Sequence, residues 1–178
     1  MSSPLATLLK ARTSIRKFQP NKPVSESVIL QLLEQARYSP SGGNVQPWQT
    51  LVVTGEERSK FVEYISTRAP TGPEYDIYPS DLDGRFLDQR TQCTQDMYAA
   101  MGVARDNRPA KLAHVQRNFT FFDAPSAVFV TLKRYMGPPQ WADVGMFLQS
   151  FMLLCQERGI STCAQEAWAN HSENIKEG

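Results

Sequence analysis

The sequence predicts a globular fold of mixed helix and strand, and three observations carry that expectation. Apolar residues recur at helical spacing behind plausible caps, two short β-branched runs interrupt the helices, and proline and glycine clusters separate the segments. A hydrophobic fraction of 41% with 21% charged residues suits a packed chain, and 178 residues are enough to bury a core.

The elements follow in order. Ser3-Pro4 caps and starts a short helix with Leu5, Leu8 and Leu9 at helical spacing. The stretch from Arg12 to Phe18 breaks that pattern and runs into Pro20 and Pro23. Ser25 is the expected N-cap of a second helix, with Val24 and Ile29 placed as a hydrophobic staple. Its stripe is Ile29, Leu32, Leu33 and Ala36, and Ser39-Pro40 stops it. Ser41-Gly42-Gly43-Asn44 reads as a loop, and Thr50 to Val53 as a short buried strand ended by Gly55. Glu56 to Thr67 is a predicted helix with Phe61, Tyr64 and Ile65 facing inward.

Residues 69–107 are rich in Pro, Gly, Asp and Arg and poorly periodic, so they read as an insertion or lid over a common core. Ala127 to Leu132 is a β-branched run suited to an interior strand. Gly137-Pro138-Pro139 turns the chain into one long helix, Trp141 to Arg158, ended by Gly159. Apolar residues cover most of that helix, which is therefore expected to be buried on all sides, in a core or against another subunit. In a chain this small, the subunit interface is the expectation.

Composition also excludes function classes. The formal net charge is +1 with no basic stripe, which argues against nucleic acid and anionic membrane as partners. Cys93, Cys155 and Cys163 are an odd set without a CxxC pair, as expected of reduced thiols. His114 and His171 lie far apart with no cysteine close by, so no metal site is expected. No apolar run approaches membrane-spanning length and no leader-like start is visible, which makes the cytoplasm the default location.

Two segments carry more polar specificity than packing requires. In Arg12-Thr13-Ser14-Ile15-Arg16-Lys17-Phe18, an extended backbone would send Arg12, Ser14 and Arg16 one way and Ile15 the other. Two guanidinium groups flanking a hydroxyl suit a phosphate. The competing reading is a solvated basic turn that anchors Ile15 and Phe18. In Ser39-Pro40-Ser41-Gly42-Gly43-Asn44-Val45-Gln46-Pro47-Trp48, the glycines permit close backbone approach to a ligand, and Asn44 and Gln46 each offer a donor and an acceptor. Its competing reading is an ordinary helix-to-strand connection.

Taken together, the two segments resemble the N-terminal signature of the nitroreductase family, an Arg-x-Ser-x-Arg-x-Phe stretch followed by Ser-Pro-Ser-x-x-Asn-x-Gln-Pro-Trp. Gln140 to Gly145, and Gly159 through Trp168, are similar to the family's central helix and the loop beside its flavin. The resemblance implies an α+β fold, a mixed sheet flanked by helices, in a homodimer with FMN held at the subunit interface. By that analogy Arg12 and Ser14 hold the FMN phosphate, and Arg16 reaches the ribityl chain or the pyrimidine edge. Pro40, Ser41 and Gly42 come from the partner subunit and line the other side of the flavin. Asn44 and Gln46 orient that loop or touch the ring, and Gln165 and Glu166 match the segment whose backbone sits near flavin N5.

The implied chemistry is ping-pong transfer of electrons from NAD(P)H to a nitroaromatic, quinone or similar small-molecule acceptor, with the flavin and no side chain as the reactive centre. Family members usually continue beyond the equivalent of Gly178 with a helix, a strand and a tail that wraps the partner. The expectation is thus one domain over 1–178, C-terminally incomplete, with an alternative as a non-catalytic flavin-binding or dimerisation homologue. A related flavoenzyme, such as a reductive dehalogenase or enone reductase, is the alternative within enzymes. Of the remaining polar and aromatic residues, Asp143 is expected to start a helix, His114 to lie on the surface or lid, and Cys163 to be a small buried residue. Trp141 and Trp168 are expected in the core or an interface.

Overall fold

The computed structural model describes residues 3–177. The chain forms two compact units, one from the chain up to Lys60 with Asp123–Ala164, the other from Phe61–Phe122 with the chain from Gln165 onward.

The first unit is organised by two helices. α1 (Pro4–Ala11) starts as its sequence predicts, with the Ser3 hydroxyl accepting from the Ala6 amide at 3.2 Å, yet it buries no side chain. α2 (Glu26–Ala36) buries the predicted stripe of Ile29, Leu32, Leu33 and Ala36. Ser25 occupies the N-cap position in extended conformation, but its hydroxyl pairs with Ser27 Oγ at 3.2 Å instead of capping the helix. The strands β1 (Gln49–Thr54) and β2 (Ser126–Thr131) pair antiparallel, with Gln49 opposite Thr131 and Thr54 opposite Ser126. Among the described residues the sheet has these two strands, and parallel pairing occurs as isolated bridges, Ser14 with Thr162 and Gly72 with His171.

The expectation of a buried first strand is corrected. Gln49, Thr50 and Leu51 are exposed, Leu51 by 62%, and only Val53 is fully buried. A two-stranded ribbon covers one side of each strand, so an apolar run in sequence does not guarantee burial on both faces.

The long helix of this unit, α6 in chain order, runs over Pro138–Glu157, three residues earlier at its start than the sequence reading placed it. It ends at Gly159, whose φ of +70° suits glycine, with the Ile160 amide returning to the Cys155 carbonyl at 2.9 Å. Within the single chain one side of this helix is covered by the core. Phe147, Phe151 and Cys155 join the α2 stripe in one core, whereas Trp141 and Met146 stay 46% and 39% exposed. The Trp48 ring stacks on Phe147 with centroids 4.8 Å apart and planes inclined by 13°.

α3 (Gly55–Ser66) carries the chain into the second unit, where Ile65 is buried and Phe61 and Tyr64 are half-buried, as their spacing predicts. The core of this unit is aromatic: Phe121 stacks on Trp168 at 4.6 Å, and Phe119 meets Trp168 and His171 edge-on. Phe121, Phe122 and Asp123 all take positive φ, a costly conformation for aromatic residues that places both rings inside. α5 (Arg108–Gln116) carries His114, which is only 6% exposed and packs against Phe122, so the surface reading of this histidine is corrected. α7 (Ser172–Glu177) is tied down by Asn174, whose amide donates to the Ala69 carbonyl and meets His171 Nδ1, each at 3.0 Å. The segment 69–107, which shows no clear period, contains α4 (Gly84–Ala100), a helix that buries none of its residues. With no apolar stripe to betray it, this helix is invisible to a periodicity argument.

Phe147 is 1% exposed at the centre of the first unit's core. Phe147→Ala is expected to destabilise that unit by about 3–5 kcal/mol, seen as a lower urea midpoint with an unchanged slope. A loss below about 1 kcal/mol, typical of surface positions, would contradict the packing described.

Candidate functional site

The backbone from Arg12 to Phe18 is extended because it is clamped. Arg12 caps α1 through its amide, which donates to the Leu8 carbonyl at 2.9 Å, and Ser14 then bridges in parallel to Thr162. The Ile15 amide donates to the Thr162 carbonyl at 3.1 Å, which fixes the register. Arg16 Nη1 folds back to the Ser14 carbonyl at 3.4 Å. Among the described residues, the Arg12 guanidinium and the Ser14 hydroxyl make no hydrogen bond or ion pair, so their donors are free for a ligand.

The neighbouring loop supports the same chemistry. Cys163 is half-buried beside both arginines. Burial pushes its thiol pKa up, against the opposing pull of Arg16 and Arg12, which mark a positive local potential. Thr162 Oγ1 is buried without a hydrogen-bond partner next to the Ser14 bridge. Sequence reasoning did not single out Thr162, because a lone hydroxyl carries no pattern. Two cations and two hydroxyls around one extended clamp fit a phosphate-bearing group.

The glycine loop is built with more constraint than an ordinary connection needs. Gly43, Asn44 and Gln46 take positive φ values of 57°, 55° and 49°. For Asn44 and Gln46 these cost strain that surrounding bonds must offset. Ser41 Oγ accepts from the Gln46 amide at 3.0 Å, and Gln46 Nε2 donates to Asn44 Oδ1 at 3.1 Å. Asn44 and Gln46 thus bond each other within the loop. Ser39 Oγ is tied to Ser150 Oγ at 2.8 Å on α6. Pro40 and Gly42 remain exposed and Ser41 half-buried.

The residue that sequence reasoning misjudged is Asp143. It does not start α6; it lies past the first turn and is 5% exposed. Both of its carboxylate oxygens lie 3.3 Å from the Gly42 amide. A buried carboxylate spent on one loop amide is a positioning device, and only the tertiary fold reveals it. Gln165 and Glu166 belong to the second unit. Gln165 Nε2 donates to both the Asn118 carbonyl and Asn118 Oδ1 at 3.0 Å, and its Oε1 accepts from Trp168 Nε1 at 3.4 Å. With its side chain occupied, Gln165 has its backbone left to offer a ligand. Glu166 is exposed and, after burial, contributes to the upward shift of the Tyr75 phenol.

Comparison with known proteins places this architecture in the nitroreductase-like fold. The structure of the FMN and NADPH-dependent nitroreductase NfnB from Sphigopyxis sp. strain HMH superposes with a TM-score of 0.93 at 39% identity, covering 98% of this chain and 80% of that one. The FMN-dependent NfnB from Mycobacterium smegmatis, solved in complex with NADPH, gives 0.89 at 25% identity, over 97% and 79% of the two chains. Nitrobenzene nitroreductase of Ectopseudomonas oleovorans is 33% identical over 168 residues, 91% of this chain and 73% of its own length. The 4-nitrobenzoate reductase of Pseudomonas putida is 28% identical over 172 residues, 96% and 75% of the two chains. The Nitroreductase family profile matches residues 9–177, and the chain belongs to that family. Among the described residues, no helix is long and apolar enough to cross a membrane.

If Asp143 holds the loop, its loss frees the Gly42 amide. Asp143→Ala is expected to speed hydrogen exchange at Gly42 by about tenfold to a hundredfold, the equivalent of one hydrogen bond to a charged group. Asp143→Asn, which keeps an acceptor oxygen, should exchange at a rate between the two. Equal rates in all three proteins, measured by NMR, would mean that Asp143 does not hold the loop.

Proposed function

We infer that this chain is an FMN-dependent oxidoreductase that takes electrons from NAD(P)H and reduces nitroaromatic acceptors. The relatives support this reading by name, as reductases of nitrobenzene and 4-nitrobenzoate and as FMN- and NADPH-dependent nitroreductases. The observation within the chain that carries it is the clamp of Arg12 and Ser14, whose donors meet no acceptor among the described residues. Hydride transfer from the nicotinamide and its delivery to the acceptor are the chemistry FMN supplies when bound.

The chain's own residues do the holding. Arg12 and Ser14 bind the phosphate, where charge-assisted bonds are strongest, and Arg16 reaches the ribityl chain or pyrimidine edge. Pro40, Ser41 and Gly42 line the flavin from the partner subunit, kept in shape by Asp143 and by the bond between Asn44 and Gln46. Gln165 and Glu166 present backbone toward the reacting edge. The reading goes with a cytoplasmic location and with a homodimer. Its support is that α1 buries nothing and α6 leaves Trp141 and Met146 open, both apolar faces that a second copy would cover.

The test is retention of flavin. The purified protein is expected to be yellow, to bleach with NADPH or NADH under anaerobic conditions, and to recover colour on addition of 4-nitrobenzoate. Arg12→Ala with Arg16→Ala should weaken FMN binding by about a hundredfold to ten-thousandfold, two lost bonds to a charged group. A protein that stays colourless in excess FMN, or a double variant that keeps its flavin as tightly as the parent, overturns the reading.

A further inference from the structure

Every polar atom of the Gln165 side chain is bonded inside the second unit. Nε2 has two hydrogens and two acceptors, the Asn118 carbonyl and Asn118 Oδ1, each at 3.0 Å, while Oε1 accepts from Trp168 Nε1 at 3.4 Å. Both partners are themselves fixed. The Asn118 side-chain amide donates to the Val115 carbonyl at 2.9 Å, which ties it to the end of α5. Trp168 is 7% exposed, its ring stacked on Phe121 at 4.6 Å, tilted against Phe61 at 5.5 Å and met edge-on by Phe119 at 5.4 Å. The indole cannot turn without disturbing three rings, so packing aims its N–H at Gln165.

The backbone beside this side chain is the opposite case. Among the described residues, neither the Gln165 nor the Glu166 amide donates to an acceptor. A solvent-facing stretch with open donors is ordinarily mobile, and ordering it when a ligand arrives costs binding energy. Anchoring the Gln165 side chain to Asn118 and Trp168 orders the adjoining backbone in advance. Packing does not ask for this arrangement, since a methionine at position 165 would fill similar volume without needing three polar partners.

We propose that Asn118 and Trp168 are positioning residues: through the Gln165 side chain they hold the Gln165 and Glu166 amides as preformed donors to the flavin edge that gains charge on reduction. This rests on the reading of the chain as an FMN-dependent oxidoreductase, in which these two residues present backbone toward the reacting edge. Donors fixed where negative charge develops stabilise it without having to reorganise. The clamp therefore favours the reduced cofactor over the oxidised one.

Two variants of the full chain test this. Gln165→Met removes all three side-chain bonds and keeps the length, whereas Asn118→Ala combined with Trp168→Phe keeps Gln165 and removes Asn118 Oδ1 and the indole N–H. Without FMN, NMR order parameters of the two amides are expected at about 0.85 in wild type and below about 0.6 in both variants, the values of rigid and flexible backbone. With FMN bound, the midpoint potential of the flavin should fall by about 30 mV in both variants, a tenfold shift toward the oxidised form for a two-electron couple. The affinity for oxidised FMN should change by less than that factor. Gln165→Met leaves every core residue in place, so it decides the matter if the double variant does not fold. Amides that stay rigid in Gln165→Met, or a potential that does not move although they loosen, overturn the proposal. Wild-type protein that takes up no FMN would instead overturn the functional reading, and the order parameters would still decide the clamp.

Discussion

The stacking of Trp48 on Phe147 is the contact on which the first unit depends. It joins the end of the glycine loop to the middle of α6, and it closes the core that α2 begins with Leu32, Leu33 and Ala36. Because α2 and Trp48 are both seated on α6, the residues between them must span a fixed gap. That gap is why the loop can be held in a conformation it would not adopt alone. Positive φ at Asn44 and Gln46 is unfavourable, and a free peptide would relax away from it. Here the ends are pinned by packing and the middle by the Asp143 carboxylate and the Ser41 hydroxyl.

This arrangement explains why α6 carries both a buried charge and an apolar stripe. A buried carboxylate costs desolvation energy, and replacing it with a hydrophobic residue of similar size is often neutral or stabilising. Nothing in the packing of α6 asks for Asp143. The Gly42 amide does. The same logic applies to the extended clamp at Ser14, where backbone pairing to Thr162 leaves the Arg12 and Ser14 side chains without a hydrogen-bond partner among the described residues. In both places the fold spends polar groups on shape that stability does not require, the usual mark of a binding site.

Sequence alone disclosed much of this and missed identifiable parts. α1, α2, α3 and the C-terminal stop of α6 were legible because caps, stripes and a glycine stop are local signals. The two polar motifs were legible because residue types and spacing coincide with a known family. Asp143 was not, since an aspartate early in a helix is ordinarily a surface residue, and its partner lies 101 positions away. His114 was misplaced for a similar reason: flanking Lys111 and Arg117 suggest solvent, whereas burial comes from Phe122 and Tyr98 folding onto it. The exposure of β1 depends on how many strands flank it, which hydrophobic alternation does not encode.

α4 marks a different limit. An amphipathic helix announces itself through its apolar stripe, and here Leu87 and Ala99 share a face with arginine, threonine, glutamine and tyrosine. Isolated helices of this length are marginal in water, so something beyond propensity must hold it. The Gln92 to Asp96 bond spans one turn on its surface, and Arg90 and Lys111 engage Tyr78 and Tyr98, joining the helix to the segments on either side of it. These are weak contacts compared with a core. A helix held this lightly yields more readily to a bound ligand than one locked by packing, because little apolar surface need be exposed when it shifts. The polar face is therefore costly as scaffold, and the ring contacts of Arg90 and Lys111 account for where the helix lies in the second unit.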